Sequence, residues 1–301
     1  MKFFSFIVLL LLGSGFFRAM EPARAAERAP QKLQRLLEGP PMLVRLVRSA
    51  TPGCEPNCAE WIAAEGRITQ ETPAAFEAVF RQLGSRKTPV LVRSVGGSVD
   101  AAMAIGRMIR ARGLDVTVAH TALDGCPADR DQRCVAGDTS RLRGTPVTRG
   151  FYCASACVLL FAGGVRRLVA PWSSVGVHEI TEVTKQWRAR RIYRLTRRVM
   201  PNHQARVFRT LVSETTLSTK ISTSSASRAV LSRMTDYLRE MDVSRKLVAL
   251  MMATPAASVH WMTRQELRDT RLVTDPSGSA AAAPPDQGAQ SHDMTPILRL
   301  R

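Results

Sequence analysis

PVLVRSVGGSVDAAMAIGRMIRARG, residues 89–113, decides how this chain folds. Pro89–Ser94 is a short apolar, β-branched run, which reads as a buried strand. Gly96 and Gly97 make a tight turn. A helix follows from Ser98 to Arg112, with Val99, Ala102, Met103, Gly106 and Ile109 along one face and Gly113 as its C-terminal stop. Upstream, Trp61–Ile68 reads as another strand. Thr72-Pro73 then starts a helix whose Phe76, Val79, Phe80 and Leu83 recur at helical spacing. Downstream, Asp115–Ala119 reads as a third strand. A β-α-β-α-β order predicts an α/β fold with a mostly parallel sheet flanked by helices.

Further out, residues 121–150 carry Gly, Pro, Asp, Arg and Thr with little periodicity and read as an inserted surface loop. The sheet is expected to resume at Phe151. A small-residue turn, Ala154-Ser155-Ala156, leads into apolar Cys157–Ala162. Val165–Ala170 and Ser174–His178 follow as two strands separated by Pro171. Residues 26–53 read as an Arg-rich lead-in with a short helix at Gln31–Leu37 and a strand at Met42–Val47, and order is expected from about Cys58. The segment 182–213 reads as basic and helical, with Ile192, Leu195 and Val199 beneath six arginines between Arg188 and Arg198. Residues 214–226, rich in Ser and Thr, read as a loop. Helices are expected at 227–240, 244–253 and 263–268, which gives a C-terminal helical segment, then a strand at Leu272-Val273. The Ala/Pro/Gly/Ser/Gln tail at 276–301 has the composition of a disordered segment.

The first 25 residues stand apart. Lys2 precedes an apolar run from Phe3 to Leu12, and Ala23-Arg24-Ala25 has the small-x-small form of a signal-peptidase site. The apolar stretch is shorter than the roughly 20 residues of a spanning helix. The expectation is an exported, periplasmic protein with a signal peptide at 1–25, and an uncleaved membrane anchor is the rival reading. Six cysteines, Cys54, Cys58, Cys126, Cys134, Cys153 and Cys157, suit that address as disulfides, with the pairing open. Zinc is the rival, disfavoured because no Cys-x-x-Cys is present. No metal or cofactor is called for. The formal charge of +18 is carried by 37 Arg and 6 Lys over 301 residues. In an exported chain this favours an anionic membrane surface, reached through 185–199, or a cell-wall polymer over nucleic acid, with a solvated Arg-rich face as the plain alternative.

Three features converge on one chemistry. Gly96-Gly97 lies between a strand and a helix, where backbone N–H groups can turn toward an oxyanion. Ser155 lies at a strand-to-helix switch among small residues. His178 ends an apolar strand downstream of it. Taken in order, GGSVDAAMAI (96–105), ASACVLLFAGG (154–164) and PWSSVGVH (171–178) resemble the proteolytic subunit of the Clp protease, within the wider ClpP/crotonase superfamily. The chain resembles more closely still the exported ClpP-like bacterial proteins, which share the Cys-x-Glu-Trp-Ile-x-Ala-Glu-Gly segment, here Cys58–Gly66, and the Cys-x-Ser-x-Cys around Ser155. The resemblance spans about residues 58–180, with a weaker match at 261–273.

This resemblance implies a spiral of β-β-α units over one domain, 54–275. It implies Ser155 as nucleophile, His178 as general base, and the N–H groups of Gly97 and Ala156 as an oxyanion hole. It also implies a polypeptide substrate and a homo-oligomer. One departure stands out: the orienting aspartate of Clp peptidases falls near Thr254-Pro255, and Ala253 to Trp261 contains no acid. Thr254, through its hydroxyl, is the candidate orienter, with Glu179 and Glu182 as alternatives close in sequence. The expected function is an exported serine hydrolase of peptidase type. The alternative is a catalytically inactive ClpP-fold binding or scaffold protein of the cell envelope. Catalysis by cysteine and an acyl-CoA enzyme of the crotonase type are minor readings.

Overall fold

Apolar runs bounded by turn residues become the strands of one central sheet. The structure is a computed structural model and describes residues 39–126, 142–201 and 203–274. The chain runs β1 (Leu43–Ser49), β2 (Glu60–Glu65), α1 (Thr72–Leu83), β3 (Val90–Arg93), α2 (Val99–Ala111), β4 (Val116–Val118), β5 (His120–Leu123), β6 (Arg143–Val147), β7 (Tyr152–Ala154), α3 (Cys157–Ala162), β8 (Arg167–Leu168) and β9 (Ser174–Val177). It continues through β10 (Thr181–Val199), β11 (Ala205–Ser225), α4 (Arg228–Glu240), α5 (Lys246–Ala253), β12 (His260–Trp261) and α6 (Arg264–Asp269).

Seven strands form the main sheet in the order β5-β6-β1-β2-β3-β4-β8. The run β2-β3-β4-β8 is parallel throughout, as the alternation of strands and helices requires. A second sheet, β12-β9-β7, pairs β7 with β9 in parallel and β12 with β9 antiparallel. The two sheets touch at Ser94, whose N–H donates to the Tyr152 carbonyl and whose carbonyl accepts from Ala154 N–H. The core lies between the sheets and the helices: Ile62, Phe76, Val90, Val92, Ile105, Ile109, the whole of α3 and, from α4, Met234 and Tyr237 are buried. This is the mixed α/β architecture expected from the sequence, with a mostly parallel sheet flanked by helices.

Several local expectations are corrected. The segment 182–213 is not helical: β10 and β11 form one long antiparallel hairpin, and the Ser/Thr-rich stretch 214–226 belongs to its second strand up to Ser225. Ile192, Leu195 and Val199 have helical spacing, but Tyr193, Leu195 and Val199 also share one face of a strand, and the Thr and Val residues of β11 favour extended backbone. Order begins before Cys58, because Met42–Val47 lies largely within β1, which pairs with β2. The ends of the 121–150 segment are strands rather than loop: β5 and β6 pair antiparallel at the sheet edge. Leu272-Val273 is not a strand. It is docked by buried Arg167, whose guanidinium donates to the carbonyls of Leu272 (2.8 Å) and Arg271 (2.9 Å), and burial lowers the Arg167 pKa to about 10. The expected signal peptide at 1–25, the expected helix at Gln31–Leu37, residues 127–141 of the inserted segment and the tail from 275 lie outside the described residues.

One buried charge cluster ties β2, β3 and β5 together. Glu65 accepts from His120 Nδ1 (2.8 Å), from the Arg93 guanidinium (2.9 Å) and from Thr121 N–H (2.6 Å). Phe151, just before β7, packs on the His120 ring and under Arg93. Burial alone would raise the Glu65 pKa, but the His120 hydrogen bond, the charges of His120 and Arg93 and the Thr121 N–H hold it below 4.5. A lowered folded-state pKa stabilises the fold above the unfolded value and is lost as pH falls through the folded one. Stability measured by urea unfolding should therefore be full above about pH 5 and decline in acid. Glu65→Gln should cost about 3 kcal/mol at pH 7 and remove much of that acid dependence.

Candidate active site

Ser155 is placed by three constraints that the local sequence supplies. Strand β7 ends at Ala154 and α3 begins at Cys157, so the chain must turn within two residues. It does so by putting Ser155 in the left-handed region at φ 58°, a conformation that costs a non-glycine residue about 1 kcal/mol or more. A disulfide between Cys153 and Cys157, both fully buried, spans the turn with a Cα–Cα distance of 5.4 Å. The third constraint is Gly96. A Cβ on it would lie 2.6 Å from the Ser155 Cβ and 2.8 Å from the Ala154 carbonyl oxygen. Only glycine lets the turn after β3 close onto the turn after β7.

His178 arrives from the neighbouring strand. Ala154 pairs with Gly176 in the parallel β7-β9 ladder, and Ser155 N–H donates to the Gly176 carbonyl at 2.9 Å. Ser155 and His178 are the first residues beyond the C-terminal ends of these two parallel strands, and among the described residues no hydrogen bond joins their side chains. Both are half-buried. His178 Nδ1 donates to the Glu179 carbonyl at 2.8 Å, which leaves Nε2 as the acceptor nitrogen of a neutral ring.

The structure differs from the sequence reading over what holds the imidazole. The Thr254 hydroxyl donates to the Leu250 carbonyl at 3.1 Å, closing the last turn of α5. Thr254 contributes through its backbone instead, its carbonyl accepting Glu179 N–H at 2.8 Å. Glu179 thus meets His178 through main-chain oxygen, and the Glu182 carboxylate accepts from Ser227 N–H at 2.8 Å. The turn containing Gly97 docks on Ile68: Ile68 N–H donates to the Gly96 carbonyl and Ser98 N–H to the Ile68 carbonyl. Among the described residues, neither Gly97 N–H nor Ala156 N–H has a protein acceptor.

The sequence reading missed the lip of this site. Gly176 faces Val259 and Trp261, whose atoms lie 2.6 and 2.8 Å from where a Cβ on Gly176 would stand. Trp261 is 48% exposed and meets Tyr152 edge-on at 5.6 Å. Tyr152, Gly176 and Trp261 share one open face of the small sheet, whereas Cys153, Val175 and Val177 point into the core. The pairing of β12 with β9 produces this surface, and no local motif announces it.

Cys54 and Cys58 are also bridged, and Cys126 is disulfide-bonded, with Cys134 outside the described residues. Cys54, Glu55 and Cys58 bring donor atoms within 4.8 Å of one another, but both sulfurs are committed to the bridge and are not thiolates available to a metal.

Two solved structures are similar to this chain at low identity. A serine-to-alanine mutant of the 1510-N membrane-bound stomatin-specific protease is similar to this chain at 13% identity and a TM-score of 0.39, over 70% of this chain and 75% of the other. A point mutant of ClpP1 from Listeria monocytogenes is similar at 12% identity and a TM-score of 0.33, over 72% of this chain and 92% of the other. No protein-family model and no curated protein matches the chain.

Proposed function

We propose that this protein is a serine hydrolase of peptidase type, exported to the periplasm, with Ser155 as nucleophile and His178 as base. The observation that carries the reading is the Ser155 turn at φ 58°, closed on Gly96 at the end of β7, with His178 the first residue beyond the neighbouring parallel strand β9. Backbone strain kept at a half-buried serine between a strand and a helix is what a nucleophile turn requires. In the first step the Ser155 oxygen bonds to the substrate carbonyl carbon while His178 Nε2 takes the hydroxyl proton. The N–H groups of Gly97 and Ala156 receive the charge that forms on the carbonyl oxygen. Collapse breaks the carbon–nitrogen bond, and the departing amine takes the proton from His178. Water, deprotonated by the same nitrogen, then releases the acyl group from Ser155.

The Glu179 carbonyl takes the place of an orienting carboxylate. It fixes the tautomer but adds no full negative charge to stabilise the imidazolium. Replacing the aspartate of a triad by a neutral group costs up to about 10⁴-fold in rate, so a slow enzyme is the expectation. The same neutral partner favours a second reading, an inactive binding or scaffold protein on the same fold. Covalent labelling of Ser155 by a fluorophosphonate separates the two.

The substrate we propose is a polypeptide with a large apolar side chain next to the scissile bond, resting on Val259, Trp261 and Tyr152. Trp261→Ala should raise KM for such peptides about tenfold and change kcat little. Steady-state kinetics on paired apolar and polar peptides checks this, since loss of the whole site would lower both equally. A homo-oligomer is part of the same proposal, read by light scattering on the purified protein.

A further inference from the structure

The β10-β11 hairpin is far longer than the fold needs. Its strands have 19 and 21 residues, about 60 Å of extended chain, where ordinary strands have about five or six residues. It is fastened at its base, where Ala226 N–H donates to the Ile180 carbonyl and Ser227 N–H to Glu182. Beyond that, its distal half is solvent-exposed on both faces. A two-stranded ribbon without a covered face is marginal in water, so the composition of those faces is informative.

Register settles which side chains share a face. Tyr193 pairs with Leu211, Leu195 with Arg209, Arg197 with Val207, and Val199 with Ala205. This face is mostly apolar, yet Leu195 is 66%, Val199 71% and Val207 64% exposed. The opposite face pairs Arg194 with Thr210, Thr196 with Phe208 and Arg198 with Arg206, and the Arg198 guanidinium lies over the Phe208 ring. Between residues 188 and 214 the chain has eight arginines and a single carboxylate, Glu214, which is paired with Arg191.

We propose that this hairpin is a docking arm for an anionic phospholipid surface, its apolar face entering the acyl boundary and its arginines holding lipid phosphates. Charge decides the occupant. A second copy could cover the apolar face but would bring two strongly cationic ribbons together, and a purely ionic polymer would leave Leu195, Val199 and Val207 in water. An anionic bilayer surface satisfies both halves of the pattern. Guanidinium groups pair with phosphate oxygens through two parallel N–H bonds, which suits an arm built from arginine without lysine over this stretch. Among the described residues no helix is long and apolar enough to cross a membrane, so the contact is peripheral.

The test is co-sedimentation of the purified protein with vesicles of phosphatidylglycerol and phosphatidylcholine in equal parts, against vesicles of phosphatidylcholine alone. The wild type should pellet with the first and not the second, and added salt should weaken binding. Arg194→Gln, Arg198→Gln and Arg206→Gln together should weaken it about 100-fold. Leu195→Ser, Val199→Ser and Val207→Ser together should weaken it at least about tenfold. These positions are exposed, so an unchanged thermal midpoint shows that the core is intact. Ser155→Ala should leave vesicle binding unchanged, which separates this proposal from the one about chemistry. Equal binding to both vesicle types would overturn it. So would wild-type protein that ignores anionic vesicles while the serine substitutions convert an oligomer to a monomer, an outcome that would assign the arm to a second copy.

Discussion

Ser155→Ala is expected to abolish hydrolysis, lowering kcat by about 10⁴-fold or more, while leaving peptide binding largely intact. In the proposed mechanism the hydroxyl forms the acyl bond, and no cysteine among the described residues is free to replace it. A companion substitution makes the prediction specific to this structure. Ser155 has φ 58°, which glycine adopts without steric cost. Ser155→Gly should therefore be as inactive as the alanine variant yet more stable than wild type, by about 1 kcal/mol in urea unfolding. A catalytically dead variant that gains stability is the signature of strain held for function. A purely structural serine turn would give the stability gain with no activity to lose.

Gly96→Ala is expected to fail in both respects. Its φ of 101° is outside the range of ordinary side chains, and the new methyl would stand 2.6 Å from the Ser155 Cβ and 2.9 Å from Ala156 N. Either the β3 turn retreats or the nucleophile turn does. Steric and backbone costs together should exceed about 3 kcal/mol. Any protein that still folds should have lost at least about 100-fold in kcat, because Ser155 and the Ala156 N–H move together. Urea unfolding and steady-state kinetics on the same preparation check this.

Much of the frame was readable because its signals are local. The strands β2, β3 and β4 are apolar runs, since a parallel strand covered on both sides has no polar face to present. The helix after Gly96-Gly97 has both its periodicity and its cap in the sequence: Ser98 accepts Ala101 N–H, as an N-cap should. Thr263 and Glu266 likewise form a capping box at the start of α6. The long hairpin was not readable, because its apolar residues fit helical and strand spacing alike and its arginines fit either on a solvated surface. β1 was assigned to a lead-in, although pairing with β2 makes it part of the main sheet.

The site divides in the same way. The order Gly96-Gly97, Ser155, His178 is visible in the sequence, because each sits at the end of a legible strand. The β7-β9 register, which puts Ser155 and His178 just beyond the ends of two paired strands, is specified by no single residue. Thr254 was nominated because its hydroxyl was the available polar group near the expected position of the acid. The group that does meet His178 Nδ1 is the Glu179 carbonyl, and a main-chain oxygen leaves no trace in a sequence. The sequence shows Trp261 only as part of a weak motif, since only the β12-β9 pairing sets it against Gly176 and Tyr152.

The most direct measurement is fluorophosphonate labelling of the purified protein, followed by mass spectrometry of the peptide spanning Phe151–Val165. The account predicts a phosphonyl adduct on Ser155. It predicts none in Ser155→Ala, slower formation in His178→Ala, and near-wild-type labelling in Thr254→Val, whose hydroxyl bonds to α5 and not to the imidazole. Absence of label on Ser155 in folded wild-type protein, or label that survives Ser155→Ala, would contradict it.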